Sequence, residues 1–167
     1  MQFTFNDGGR AAAGWRGTAG DCVTRAVAIA TGLPYMEVYD ALSKGCREQR
    51  VTRRSTRKAS ARNGVHVRRK WFKDYMKSLG WSWTPTMHIG SGCKVHLKAS
   101  ELPMGRLIVS VSKHMTTVVD GVVHDIYDPS RNETRCVYGY WSKTETENEK
   151  ETHNDNATLD RSCAVQR

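Results

Sequence analysis

Residues 114–128 read HMTTVVDGVVHDIYD, two runs rich in Val and Thr on either side of Asp120-Gly121. That dipeptide supplies the left-handed backbone needed at both central positions of a two-residue hairpin turn. Counting outward sets Val119 opposite Val122, Thr117 opposite His124, Thr116 opposite Asp125 and His114 opposite Tyr127. Side chains alternate between sheet faces, so His114, Thr116, Asp125 and Tyr127 share one face. Asp125 is then a diagonal neighbour of His114, within reach of a side-chain hydrogen bond. His124 and Asp128 have the opposite parity, although Pro129 ends the strand and leaves Asp128 free to turn inward. A carboxylate on a half-buried face needs a partner, and His114 is the one on offer.

Around the hairpin, "RLIVSVS" (106–112), "CVYGYW" (136–141) and the alternating "WSWTP" (81–85) read as further strands. The first half of the chain reads differently. Val23, Ala26, Val27 and Ala30 fall at helical spacing over residues 22–31, with Gly32 as the stop. "LPYMEVYDALSKG" (33–45) follows, with Pro34 in its first turn, Val38, Ala41 and Leu42 as its buried stripe, and Gly45 just past its end. "VRRKWFKDYMKSLG" (67–80) gives a third helix through Trp71, Tyr75, Met76 and Leu79. Residues 1–20 are Gly- and Ala-rich and read as an irregular lead-in anchored by Trp15. Helices first and antiparallel strands afterwards predict an α+β fold in one domain, residues 1–143. Within it, residues 47–64 read as a basic loop, and residues 144–167 as a disordered acidic tail.

The 167 residues carry a net charge of +9. Residues 144–167 hold six acids against Lys150, Arg161 and Arg167, which makes the tail −3 and the body +12. Such a body suits an acidic partner or a nucleic acid. No apolar run is long enough to span a membrane, and the N-terminus lacks the build of a secretory signal, so a cytoplasmic protein is expected. Five cysteines without regular spacing predict free thiols rather than a disulfide framework.

Of these, Cys22 stands out, because Asp21-Cys22 opens the first helix. With Asp21 as N-cap, Cys22 occupies the first turn, where the macrodipole and unpaired N–H groups favour a thiolate. Arg25 adds positive charge one turn on, while Asp21 opposes it. A nucleophilic thiol also needs a base and an orienting group, and the hairpin offers His114 and Asp125. A helix-borne Cys, a strand-borne His and an acid on the next strand resemble the papain-like cysteine peptidases. "GDCVTRA" and "HMTTVVDGVVHDIYDPS" resemble the bacteriocin-processing branch of that superfamily, in which the acid falls at Asp128. Laid on papain's Asn-Ser-Trp stretch, "HDIYD" puts the orienting residue at Asp125, the alternative that the hairpin parity favours. The module between "GDCVTRA" and "RCVYGYW" also resembles small proteins encoded by tailed phages.

The resemblance implies a papain-like fold with Cys22, His114 and Asp125 as a catalytic triad. It further implies a peptidase or thiol acyl hydrolase acting on an amide, isopeptide or thioester bond of a peptide or protein. In a phage setting that means processing a phage product or countering a host defence, in the host cytoplasm. Such enzymes usually carry a Gln five or six residues before the cysteine; here those positions are Arg16 and Gly17. The oxyanion would need the Cys22 N–H plus another donor, with Thr18, Arg16 and Asn6 as candidates.

A second reading is a non-catalytic papain-like binding protein. Arg53, Arg54, Arg57 and Lys58, with Arg68 and Arg69, form the cluster that would hold an acidic protein or nucleic acid. No nucleic-acid-binding fold accompanies it, and a solvated basic surface is the plainer account. His88, Cys93, His96 and Cys136 match no standard zinc spacing, and "GSG" (90–92) lacks the frame of a phosphate loop, so neither metal nor cofactor is expected.

Overall fold

A computed structural model describes residues 1–50 and 60–143. In chain order the elements are β1 (Gln2–Phe5), α1 (Cys22–Thr31), α2 (Tyr35–Glu48), α3 (Lys70–Ser78), β2 (Trp81–Pro85), β3 (Arg106–Val111), β4 (His114–Val119), β5 (Val122–Asp125) and β6 (Val137–Lys143). The six strands form one sheet in the order β1-β5-β4-β3-β6-β2. Three helices and a six-stranded sheet make an α+β architecture among the described residues.

The β4–β5 hairpin has the register counted from its turn, with Thr117 opposite His124 and Val119 opposite Val122. Asp120 and Gly121 take φ of 47° and 79°, as a turn matching the strand twist requires. The sheet departs from the antiparallel expectation at one edge. Gln2–Phe5, inside the stretch read as an irregular lead-in, is a strand that runs parallel to β5. Its four-residue alternation is too short to read locally, and its partner lies more than a hundred residues on.

α1 spans the expected residues, buries Val23, Ala26, Val27 and Ala30, and ends at Gly32, whose N–H bonds the Ala28 carbonyl at 2.9 Å. Gly45 does not end the second helix. α2 runs three residues further, and a Cβ at Gly45 would stand 2.3 Å from the Trp71 ring. The glycine is there because α3 presses an indole onto the α2 backbone.

Alternation along β3 divides the core between the two faces of the sheet. Ile108 joins Met115, Trp141 and the apolar sides of the helices, including Val27, Leu42, Phe72 and Met76. Leu107 and Val109 join Val118, Val123, Val137, Leu97 and Leu102 on the opposite face. Each fully buried aliphatic side chain contributes on the order of 1.5–3 kcal/mol, so both faces carry stability. Cys93 and Cys136 are joined as a disulfide with a Cα–Cα distance of 5.7 Å, correcting the expectation of free thiols for that pair. The isolated bridge between His96 and Cys136 sets the two segments side by side, a proximity invisible in cysteine spacing. Cys22 and Cys46 are free.

The basic loop read over 47–64 is narrower than expected. Arg47 and Glu48 belong to α2, and Ala61 is a core residue. Arg53, Arg54, Arg57 and Lys58, like the acidic tail from 144 onward, lie outside the described residues. Among the described residues no helix is long and apolar enough to cross a membrane.

Candidate active site

Cys22 is the first residue of α1, half-buried, at the floor of a cleft of about 930 Å³. One wall of the cleft is the segment from Asn63 to Arg68. The other comes from the end of β3, the β3–β4 turn and the residues just after β5. His114 is the first residue of β4 and Asp125 the last of β5, so the hairpin presents both at its open end.

There the His114 Nε2 lies 2.7 Å from Asp125 Oδ2, with only 7% of the histidine side chain exposed. The other carboxylate oxygen, Oδ1, accepts the Ile126 N–H at 2.7 Å and sits 3.9 Å from the Arg25 guanidinium. Asp125 is therefore held in place and holds the imidazole in the Nε2–H form. That leaves Nδ1 as the nitrogen for proton exchange with the thiol, with the Tyr127 hydroxyl at 3.4 Å from it. The Tyr127 ring lies tilted at 37° to the imidazole, with a centroid distance of 5.2 Å.

Opposing influences set the two ionisations. Burial, the largest single influence, pushes the Cys22 thiol up. Hydrogen bonding to His114, the imidazolium charge, the Met115 N–H and the Arg25 charge together outweigh it and bring the thiol below its ordinary value. Burial likewise pulls His114 down, but the Asp125 hydrogen bond, the Cys22 hydrogen bond and the two negative charges raise it to about 9. A thiol moved down and an imidazole moved up both favour the thiolate–imidazolium form of the pair. Cys46 is the internal contrast, since burial without a partner raises its thiol.

Asp21 occupies the N-cap position but makes no side-chain capping bond, contrary to the expected role. Only 1% exposed, it instead pairs with Arg25, meets Arg10 Nε at 3.0 Å through Oδ2 and accepts the Tyr35 hydroxyl at 2.6 Å. The same Arg10 guanidinium gathers the carbonyls of Trp15, Arg16 and Gly17, at 3.3, 3.2 and 2.8 Å. In the sequence, Arg10 as an isolated Arg and Tyr35 as a helix-start Tyr carry no signal of this role. Together they fix the approach of the chain to Cys22. Because Arg25 touches both Asp21 and Asp125, this buried cluster is continuous with the His114–Asp125 pair.

The remaining expected residues fall elsewhere. Asp128 is exposed and closes on Ser130, accepting its N–H at 2.8 Å and its hydroxyl at 3.0 Å, and so does not reach His114. Arg16 and Thr18 are exposed and outside the cleft lining. Asn6 turns its Oδ1 to the Gly8 N–H at 2.9 Å and lines a different depression, with Ile29 and Leu33. None of these three is an oxyanion donor by position. The amide that does line the cleft is Asn63, whose Oδ1 accepts the Gly20 N–H at 3.3 Å, two residues before Cys22. In the sequence it follows a run of basic residues and carries no signal of its own. Arg68, itself exposed, lines the cleft, whereas Arg69, exposed at the start of α3, does not. Among the described residues no three His, Cys, Asp or Glu side chains gather as a metal site.

Comparison with known proteins finds no matching family model, no curated relative and no solved structural neighbour. The chemistry of the site has to be read from its own geometry.

Proposed function

We propose that this chain is a papain-like cysteine hydrolase that cleaves amide, isopeptide or thioester bonds through a Cys22 thiolate. The observation that carries the reading is the His114–Asp125 contact of 2.7 Å, set at the start of the helix that bears a thiol of lowered pKa. A structural cysteine requires neither an oriented imidazole nor a buried carboxylate behind it.

In this reading the Cys22 thiolate attacks the substrate carbonyl carbon, forming the C–S bond and moving an electron pair onto oxygen. The Cys22 backbone N–H, unpaired within the helix because it is in the first turn, faces the developing oxyanion. The Asn63 amide supplies the second donor, since its Oδ1 is occupied by Gly20 and its NH₂ is the end left for the cleft. As the tetrahedral species collapses, the His114 imidazolium protonates the leaving nitrogen or sulfur and the scissile bond breaks. Water then attacks the thioester while His114 takes its proton, the C–S bond breaks with its electron pair returning to sulfur, the carboxylic acid leaves, and the Cys22–His114 pair is restored. Asp125 stays ionised throughout and positions the ring. Proton transfer between Cys22 and His114 leaves the net charge of the buried cluster unchanged.

Alkylation with iodoacetamide at pH 7, mapped by peptide mass, tests the reading. Cys22 should react and buried Cys46 should not, and His114→Ala should slow Cys22 by about tenfold or more as the thiolate is lost. Labelling of Cys22 that ignores the His114 substitution would refute the catalytic assignment. Salt-sensitive binding of a polyanion with no reactive thiol would favour the basic-surface reading instead.

A further inference from the structure

Among the described residues and Cys22 apart, the charged side chains lining the cleft are of one sign. Among the described residues the lining includes Arg25, Arg68 and Lys113, together with His66 and His114, and no Asp or Glu. Arg25 is neutralised by Asp21, but Arg68 and Lys113 are in a different position. The cations of the ion pairs among the described residues are the N-terminal amine, Arg10, Arg25, Lys70, His96 and His114, which leaves Arg68 and Lys113 without a carboxylate there. They stand on the two different walls, Arg68 beyond Asn63 and Lys113 directly before His114.

Lys113 is fixed in the β3–β4 turn at φ 55°, and Arg135 ties that turn to the segment after β5 through the carbonyls of Ser112 at 2.5 Å and Pro129 at 3.2 Å. Val23, Val65, Val111 and Met115 give the cleft apolar surface as well, against which an anion facing these two exposed cations is screened less than in open water. An anionic group entering this cleft meets two cations that have no competing partner in the described walls. A cationic substrate meets repulsion from both sides.

From this arrangement we infer that the cleft selects an acyl substrate with a carboxylate side chain, Asp or Glu, flanking the scissile carbonyl. The inference rests on the proposed thiol chemistry, and its test separates the two. Iodoacetate and iodoacetamide attack the same sulfur, displacing iodide, and differ in carrying a negative charge or none. The rate ratio of iodoacetate to iodoacetamide at Cys22 in the full chain should exceed the ratio at Cys22 of the urea-unfolded protein by about tenfold at low salt, and should shrink as salt is added. The imidazolium of His114 contributes to that ratio, so the deciding comparison is the Arg68→Gln, Lys113→Gln double variant, in which the ratio should fall several-fold. Taking a ratio cancels any general change in thiol reactivity.

A ratio equal to that of the unfolded protein, or one indifferent to both substitutions, overturns the acidic specificity even if Cys22 is highly reactive. Slow reaction with both reagents would instead count against the thiolate, while the ratio still decides the charge preference. Fluorogenic peptides supply the second arm, with kcat/KM expected about tenfold higher for Glu than for Gln next to the cleaved bond.

Discussion

On one face of the sheet the helices bury Val27, Leu42, Phe72 and Met76, and at the start of α1 the charges of Arg10, Asp21 and Arg25 as well. On the other face Leu97, Leu102, Leu107, Val109, Val118 and Val123 pack against one another, and the segments bordering them are joined by Cys93–Cys136. Charges buried beside a hydrophobic core cost solvation that aliphatic packing avoids, and they are tolerated only when every partner is present. That charge gathers at the start of α1, where Arg25 brings it up to the His114–Asp125 pair at the open end of the hairpin. The helix-free face, whose parity His114 and Asp125 share with Val118 and Val123, is mostly aliphatic among the described residues.

Breaking the charged side should have the larger consequence. Asp21→Asn leaves Arg10 and Arg25 buried with one carboxylate fewer, and urea unfolding should show a loss of about 3–5 kcal/mol. Cys22 labelling should fall with it, because the chain leading into the thiol loses its anchor. Asn63→Ala leaves the fold largely in place but removes a proposed oxyanion donor. Its kcat on a cleaved peptide should drop by about 10²–10³, close to 2.7–4 kcal/mol, with KM much less affected. On the opposite face, Cys93→Ser opens a link that spans 43 residues and should lower stability by about 2–4 kcal/mol. It should leave the iodoacetamide rate at Cys22 as it was. Loss of labelling in that variant would show that the two faces are coupled.

The gentlest probe is pH. His114 is raised to about 9 from 6.5, so the stability it contributes is complete below pH 6.5 and disappears as pH rises through about 9. Cys22 is lowered, so its contribution runs the other way, present at alkaline pH and lost as pH falls through the thiol's folded value. A pH series of alkylation rates should therefore begin its rise below the ordinary thiol range. In His114→Ala the rise should move above that range, because the burial that raises the thiol remains after its counterion is gone.

How much of this was legible differs between local and distant pairings. The hairpin could be counted because Asp120-Gly121 admits essentially one turn, and the turn sets every pair beyond it. His114 and Asp125 followed as neighbours from parity alone. α1 was legible because its apolar spacing and Gly32 agree. The ties between Asp21, Arg10 and Tyr35 were not, since nothing in a side chain's identity says that it is buried with an opposite charge. Asn63 was hidden because its place beside Gly20 arises from a contact across more than forty residues, inside a stretch whose composition suggested only surface. The Cys93–Cys136 pairing and the parallel seating of β1 were equally non-local.

Among the described residues the strand β1 is the last in its sheet, its residues are exposed, and its only ladder is with β5. The Asn6 N–H continues that ladder by bonding the carbonyl of Asp125 at 2.8 Å. The buried carboxylate behind His114 is thus a single strand away from solvent on that side. Amide hydrogen exchange is expected to be fast in β1 and slow in β4, and each opening of that edge releases the backbone that aims Asp125. The readiness of the imidazole to accept a proton would then follow the fraying of four residues at the start of the chain.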